Sequence, residues 1–279
     1  MIDRSKIEAL VKAALREANP GTATRPLDSG GGLMIKPDRG VNLGEPFDAA
    51  AMAADLEATP ARIAVGRTGT RYRTNTLLRF RADHAFAKDA VMSEVDENLI
   101  AKLGLLPLHT RAESKSHFLQ RPDAGRALSD ASRTLVAEKF PKGAEVTMIY
   151  GDGLSASAIN THLEAFHAAL LRELSARNLH LGGTCFVRYS RVKVMDEISR
   201  IAETQASVFV CGERPGLGFA DSLSAYYMYR PPSGIPTDAD REVISNINPR
   251  GLDVQKAAAS LCDQLQRILS AKKSGVVIA

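Results

Sequence analysis

Two glycine-punctuated loops hold the residues of this chain best placed to do chemistry. Ser207-Val208-Phe209-Val210-Cys211 is an apolar run rich in β-branched and aromatic residues, and it reads as a buried strand. Gly212-Glu213-Arg214-Pro215-Gly216-Leu217-Gly218 forbids that strand to continue and sets one acid beside one base on a tight turn. Gly151-Asp152-Gly153 interrupts a second strand, Val146–Tyr150, in the same way. In an open α/β sheet, the loops leaving the carboxyl ends of strands are where ligands bind, and glycines there let backbone amides come close. The bland alternative for Glu213 and Arg214 is an ordinary strand-to-helix turn carrying a surface ion pair.

Several reaction classes lack their residues. Gly212-x-x-x-Gly216-x-Gly218 is not the dinucleotide fingerprint, and no Gly-Lys-Ser/Thr phosphate loop occurs. Gly153-Leu154-Ser155-Ala156-Ser157 follows a strand but lacks the second glycine of a nucleophile elbow. His162 and His167, five apart on one helix, fall on different faces and do not make a metal pair. Cys185, Cys211 and Cys262 are odd in number and far apart, which suggests neither a disulfide framework nor zinc, and two of them lie in apolar strands as packing residues. The residues therefore point to a ligand-binding surface with no catalytic or metal-ligating set of its own.

The elements that must position these loops alternate. Strands are expected at Val146–Tyr150, Thr184–Tyr189, Val208–Cys211 and Ala225–Tyr229. A helix carries Leu163, Phe166, Leu170, Leu171 and Leu174, with Thr161-x-x-Glu164 as a capping box at its start. Ile198–Ile201 belongs to a short helix, and a final helix carries Val254, Ala258, Leu261, Leu265 and Ile268 and ends near Lys272–Gly275. This alternation implies an α/β fold with a Rossmann-like, mostly parallel sheet covered by helices on both faces. A mainly helical region precedes it, with helices at Ala49–Leu56 and through Leu77–Phe86, and a loop around Pro122 that opens another. Three parts follow: 1–46, an amphipathic helix over residues 2–18 and a Gly/Pro-rich flexible tether; 47–135, mainly helical; 136–279, the sheet domain.

A net charge of +4 is too small to argue for nucleic acid, and 5% aromatic residues leave no stacking platform for single strands. The arginines at 67, 71, 73, 79 and 81 could grip phosphate or an acidic partner, or form a solvated face. No apolar run reaches membrane-spanning length and no secretory signal opens the chain, so a reduced, cytoplasmic, soluble protein is expected. The short N-terminal helix is expected to dock on a partner.

Beyond these patterns, the chain resembles the small (light) subunit of ethanolamine ammonia-lyase. The resemblance rests on Ala61–Gly69, Thr76–His84, Gln120–Arg126, Gly151–Ser155, Phe186–Lys193, Gly212–Gly218 and Asp240–Ile247, and it covers roughly residues 47–275. It implies a hetero-oligomer with a catalytic TIM-barrel large subunit and an adenosylcobalamin held at their interface. In that family the reaction is cobalt–carbon homolysis, hydrogen abstraction from ethanolamine, and loss of ammonia to leave acetaldehyde. The cobalamin contacts carried over by motif are Val192, Glu213 and Val243. Glu213 would accept from corrin amides, and the two valines would act through packing or main-chain groups, since relatives can carry cysteine at the position of Val243. The Asp-x-His-x-x-Gly signature is absent, so the cofactor is expected to keep its own base on cobalt. Residues handling substrate would lie on the large subunit. The N-terminal helix would serve a bacterial microcompartment shell. The competing readings are a pure interaction protein and a stand-alone Rossmann-type nucleotide-binding enzyme.

Overall fold

The computed structural model describes residues 42–275 apart from Gly44, Pro60 and 231–235. The helix expected at residues 2–18 and the tether up to residue 41 lie outside the described residues. At Asn42 the tether is already anchored: its amide donates to the Ala64 carbonyl (3.0 Å), its side chain donates to Thr76 Oγ1 (3.0 Å), and its own carbonyl accepts from Arg73 (2.9 Å).

The elements run α1 (Ala49–Ala58), a small hairpin of β1 (Arg67–Thr68) and β2 (Arg71–Tyr72), α2 (Thr74–Met92), α3 (Glu97–Lys102), β3 (Leu106–His109), α4 (Lys115–Gln120), α5 (Asp130–Lys139), β4 (Val146–Gly151), α6 (Ala156–Ala176), β5 (Leu181–Arg188), α7 (Val194–Ala202), β6 (Ala206–Gly212), β7 (Leu223–Tyr229), β8 (Glu242–Ile247) and α8 (Val254–Ala271). The main sheet has six strands in the order β3-β5-β4-β6-β7-β8. It is α/β and mixed: β3, β5, β4 and β6 pair parallel, while β7 is antiparallel to β6 and β8 is antiparallel to β7.

Burial alternates along the central strands and separates two cores. Met148, Tyr150, Val208 and Val210 face α6 and α8, where Ile159, Leu163, Phe166, Leu170, Leu261 and Leu265 close over them. Ile149, Phe209 and Cys211 face the other way, onto α5 and α7 through Val136, Met195, Ile198 and Ala202. Each fully buried side chain of this size contributes about 1.5–3 kcal/mol.

Several local expectations change. Thr161 is not a cap; it lies inside α6, where its hydroxyl donates to the Ser157 carbonyl (2.8 Å). The cap is Ser155, whose Oγ accepts from the Ala158 amide (3.2 Å), because the turn at Gly153 releases the chain into the helix earlier. Pro122 opens no α-helix: α4 ends at Gln120 and only a 3₁₀ turn, Ala124–Arg126, follows. The region called mainly helical also contributes β3 to the edge of the sheet.

Candidate functional site

The loop after β6 does not lead into a helix. It is the connection of an antiparallel pair, closed by the Glu213 amide donating to the Ser222 carbonyl (2.8 Å) and the Gly216 amide donating to the Phe219 carbonyl (3.0 Å). The loop itself therefore supplies no helix N-terminus behind Glu213, unlike a strand-to-helix turn. Nor do Glu213 and Arg214 form a surface ion pair. Oε1 of Glu213 accepts from Ser224 Oγ on β7 (2.6 Å) and from the Asn246 amide on β8 (2.7 Å). Its Oε2 has no hydrogen-bond partner among the described residues.

Val243 follows from the strand alternation. Its neighbour Ile244 packs on the α6/α8 core, and Glu242 on the same face binds Tyr227 Oη (3.1 Å) and Arg267. Val243 therefore points to the opposite face, where it stands beside Tyr226, its partner in the β7–β8 register. It is 47% exposed, high for a large aliphatic residue. Val192, in the loop between β5 and α7, is partly buried against the same α5/α7 core that Tyr226 touches. Ser224, Tyr226 and Val243 thus share one face at the β7–β8 edge, a shelf headed by Glu213 through its bond to Ser224, while Val192, at the start of α7, packs against the same core as Tyr226. Burial, with the Cys211 and Glu213 groups nearby, raises the Tyr226 phenol, so it stays neutral there.

Sequence reasoning missed the device that sets the Val192 loop. Asp152 is 1% exposed, and its two oxygens accept the backbone amides of Tyr189 and Ser190, both at 2.9 Å. Tyr189 has φ +55°, in the left-handed region, so the two amides turn together toward one carboxylate. The Arg191 amide then donates to the Gly125 carbonyl (2.8 Å), tying the loop to the 3₁₀ turn. Burial pushes the Asp152 carboxyl up, against the opposing pull of Lys115, whose Nζ lies 4.0 Å away and makes no hydrogen bond. An acid between two glycines at a strand end was the one available signal.

The loops pack so closely that two positions admit only glycine. Gly153 has φ +57°, and a Cβ there would strike the Gly212 carbonyl. At Gly212 a Cβ would strike the Ser155 carbonyl. Ser155 also donates to the Ala220 carbonyl (2.8 Å), while the His162 Nε2–H donates to the Asp221 carbonyl (2.9 Å), so α6 pins the far end of the Glu213 loop.

Other candidates fall elsewhere. His167 pairs with Tyr150 Oη at 2.7 Å, so the two histidines of α6 serve separate contacts. All three cysteines are buried and free; burial pushes each thiol up, that of Cys262 to about 12, which makes them inert packing groups. Among the described residues no group of His, Cys, Asp or Glu could hold a metal ion, and no helix is long and apolar enough to cross a membrane. Of the basic cluster, Arg79 pairs with Asp83 (3.1 Å) and Arg67 stacks over Tyr72. A cavity of about 750 Å³ lies at the β3 edge, away from Glu213, lined by His109, Arg111, Glu113, Asp130 and Arg188 among others. It brings no expected site residue together.

The shelf offers the aromatic and aliphatic surface of Tyr226 and Val243 beside one carboxylate oxygen without a partner. That donor set fits a broad, amide-rimmed ligand such as a corrinoid, whose N–H groups need acceptors and whose faces are apolar.

Comparisons with known proteins agree on one family. The profile described as "Ethanolamine ammonia-lyase light chain (EutC)" matches residues 50–279. The ethanolamine ammonia-lyase small subunit of Clostridium acetobutylicum is 41% identical over 224 residues, which is 80% of this chain and 92% of that protein. The small subunit of Listeria monocytogenes serovar 1/2a is 38% identical over 232 residues, 83% of this chain and 79% of that one. That of Clostridium perfringens is also 38% identical, over 231 residues, covering 83% and 78%. With a match of this extent, the chain belongs to the ethanolamine ammonia-lyase light-chain, or small-subunit, family.

Proposed function

We propose that this chain is the cofactor-holding half of an adenosylcobalamin-dependent ethanolamine ammonia-lyase and turns over only with a large subunit. The observation that carries the reading is Glu213: a carboxylate with one oxygen committed to the sheet and the other unpartnered, at the β7–β8 edge where Val243 stands exposed. Glu213 Oε2 would accept from corrin side-chain amides, and Val192, Tyr226 and Val243 would pack against the corrinoid. Adenosylcobalamin supplies the cobalt–carbon bond whose homolysis starts the radical deamination of ethanolamine to acetaldehyde and ammonia. This chain's residues bind and orient; no acid, base or nucleophile is assigned to it. The open shelf calls for a second wall, and the large subunit supplies it, together with the residues that handle substrate.

We read the parallel strands β5, β4 and β6 as the Rossmann-like core of a cobalamin domain at 136–279, with β3 added at its edge by the region at 47–135. The segment 1–46 is read as a helix and tether that recruit a microcompartment shell. Deleting residues 1–19 then spares activity and alters localisation; lost activity with normal assembly would count against that role.

The decisive experiment mixes the purified chain, its cognate large subunit and adenosylcobalamin. Acetaldehyde formation from ethanolamine should require both chains. Turnover by the large subunit alone, or no binding of cobalamin by the assembled pair, would overturn the reading.

A further inference from the structure

Beside the shelf, three arginines come from three different loops: Arg126 ends the 3₁₀ turn, Arg191 precedes Val192, and Arg214 follows Glu213. Arg191 is half-buried. Its guanidinium lies 4.3 Å over the Phe118 ring and reaches the Phe118 carbonyl only weakly, at 3.4 Å. Its Nε is buried with no hydrogen-bond partner. Among the described residues the side chains of Arg126 and Arg214 make no hydrogen bond or ion pair. Burial lowers the Arg191 pKa, and the charges of Arg126 and Arg214 add to that repulsion. The carboxylate opposing them is Asp152, whose oxygens are already taken by the amides of Tyr189 and Ser190 and by the Lys115 charge.

We propose that Arg126, Arg191 and Arg214 form an anion site and that it takes the phosphodiester of the cobalamin nucleotide tail. The inference rests on the cobalamin reading above. Guanidiniums close enough to repel one another, one of them with a buried unpaired donor, are destabilised alone and stabilised by an anion among them. Their planar forks match phosphate oxygens better than a lysine would. Two of the three sit next in sequence to Val192 and Glu213, so the anion belongs to the ligand those residues contact. In cobalamin the corrin amides are neutral, and the tail phosphodiester is the negative group outside the corrin ring. A carboxylate of the large subunit is the competing source of the same chemistry.

The test titrates the assembled two-subunit complex with hydroxocobalamin and with cobinamide, which lacks the phosphodiester, ribose and base, following visible absorbance and equilibrium dialysis. Arg191→Met, and separately Arg126→Gln with Arg214→Gln at exposed positions, are expected to weaken cobalamin by about tenfold or more and to leave cobinamide unchanged. Raised salt should weaken cobalamin alone in the wild type. Equal losses for both corrinoids, or no loss for either, would overturn the site. Failure of the variants to assemble before any corrinoid is added would assign the arginines to the large subunit instead, which also overturns it. A wild-type complex that binds neither corrinoid sinks the cobalamin reading itself; one that binds both, with neither affinity moved by the variants, sinks only the anion site.

Discussion

The Glu213 carboxylate accepts the backbone amide of Asn246 at 2.7 Å, bridging β6 to β8 across the intervening β7. One oxygen thus serves the sheet, taking Ser224 on the way, and the other is left for a ligand. Replacing Glu213 by alanine removes both functions at once, so on its own it would report poorly on binding.

Glutamine separates them. In Glu213→Gln the amide oxygen can still accept from Ser224 and Asn246, but the second position becomes a donor and can no longer take a corrin N–H. Glu213→Ala is expected to lower unfolding stability by about 1.5–3 kcal/mol, the range for a hydrogen bond to a charged group. Glu213→Gln should stay within about 1 kcal/mol of the parent. Both should weaken cobalamin binding in the assembled complex. Denaturant melts beside corrinoid titrations check this; full cofactor affinity in Glu213→Gln would remove Glu213 from the site.

Asp152 and Lys115 make the second prediction. Asp152→Asn leaves one of the Tyr189 and Ser190 amides facing a donor and strands the Lys115 ammonium, so a loss of about 3–5 kcal/mol is expected. Adding Lys115→Met should recover part of that loss, because the buried cation goes with its partner. A double variant as unstable as the sum of the singles would show that the two charges do not couple.

Much of this architecture was legible in sequence, and the exceptions share a cause. Val146–Tyr150, Val208–Cys211 and Ala225–Tyr229 announced themselves because central strands are apolar on both faces. β3 did not, being four residues with a proline at 107, and β8 did not, being an edge strand that buries one face only. The bland alternative of a strand-to-helix turn at Gly212–Gly218 fails because the next apolar run, Ala225–Tyr229, is itself a strand, and the loop is the connection of an antiparallel pair. Glu213, Val192 and Val243 came from the family resemblance, not from spacing or composition. The Asp152 clamp on Tyr189 could not be picked out at all, since it joins positions 37 residues apart that only the β4–β5 pairing brings together.

The glycines of the site give a third test. Gly212→Ala forces a methyl group against the Ser155 backbone oxygen, which cannot move without shifting the start of α6. Overpacking of this kind costs about 1–3 kcal/mol. Gly216→Ala is the control in the same loop, because its nearest atom, the Phe219 carbonyl oxygen, is an ordinary contact at 3.5 Å. Thermal melts should separate the two, and equal Tm values would mean that the close crossing at Gly212 is not maintained in solution.

The buried imidazoles of α6 set a pH dependence whose sign can be worked out. Burial lowers the pKa of His162 below its ordinary 6.5, against the opposing pull of the Asp221 carbonyl and carboxylate, and burial alone lowers that of His167. As pH falls through 6.5 the unfolded chain takes up a proton at each histidine while the folded chain resists, so their contribution to stability is full above 6.5 and declines below it. Exposed carboxylates titrate lower, near 4, and buried ones such as Asp152 are shared by the parent and a His167 variant, so comparing the Tm of the two between about pH 7.5 and 5.5 isolates His167. His167→Gln can still pair with Tyr150 Oη and has no proton to gain, so its Tm should fall less over that interval than that of the parent. An unchanged slope in His167→Gln would mean that the imidazole takes up its proton equally in the folded and unfolded chains, so that burial does not resist its charging.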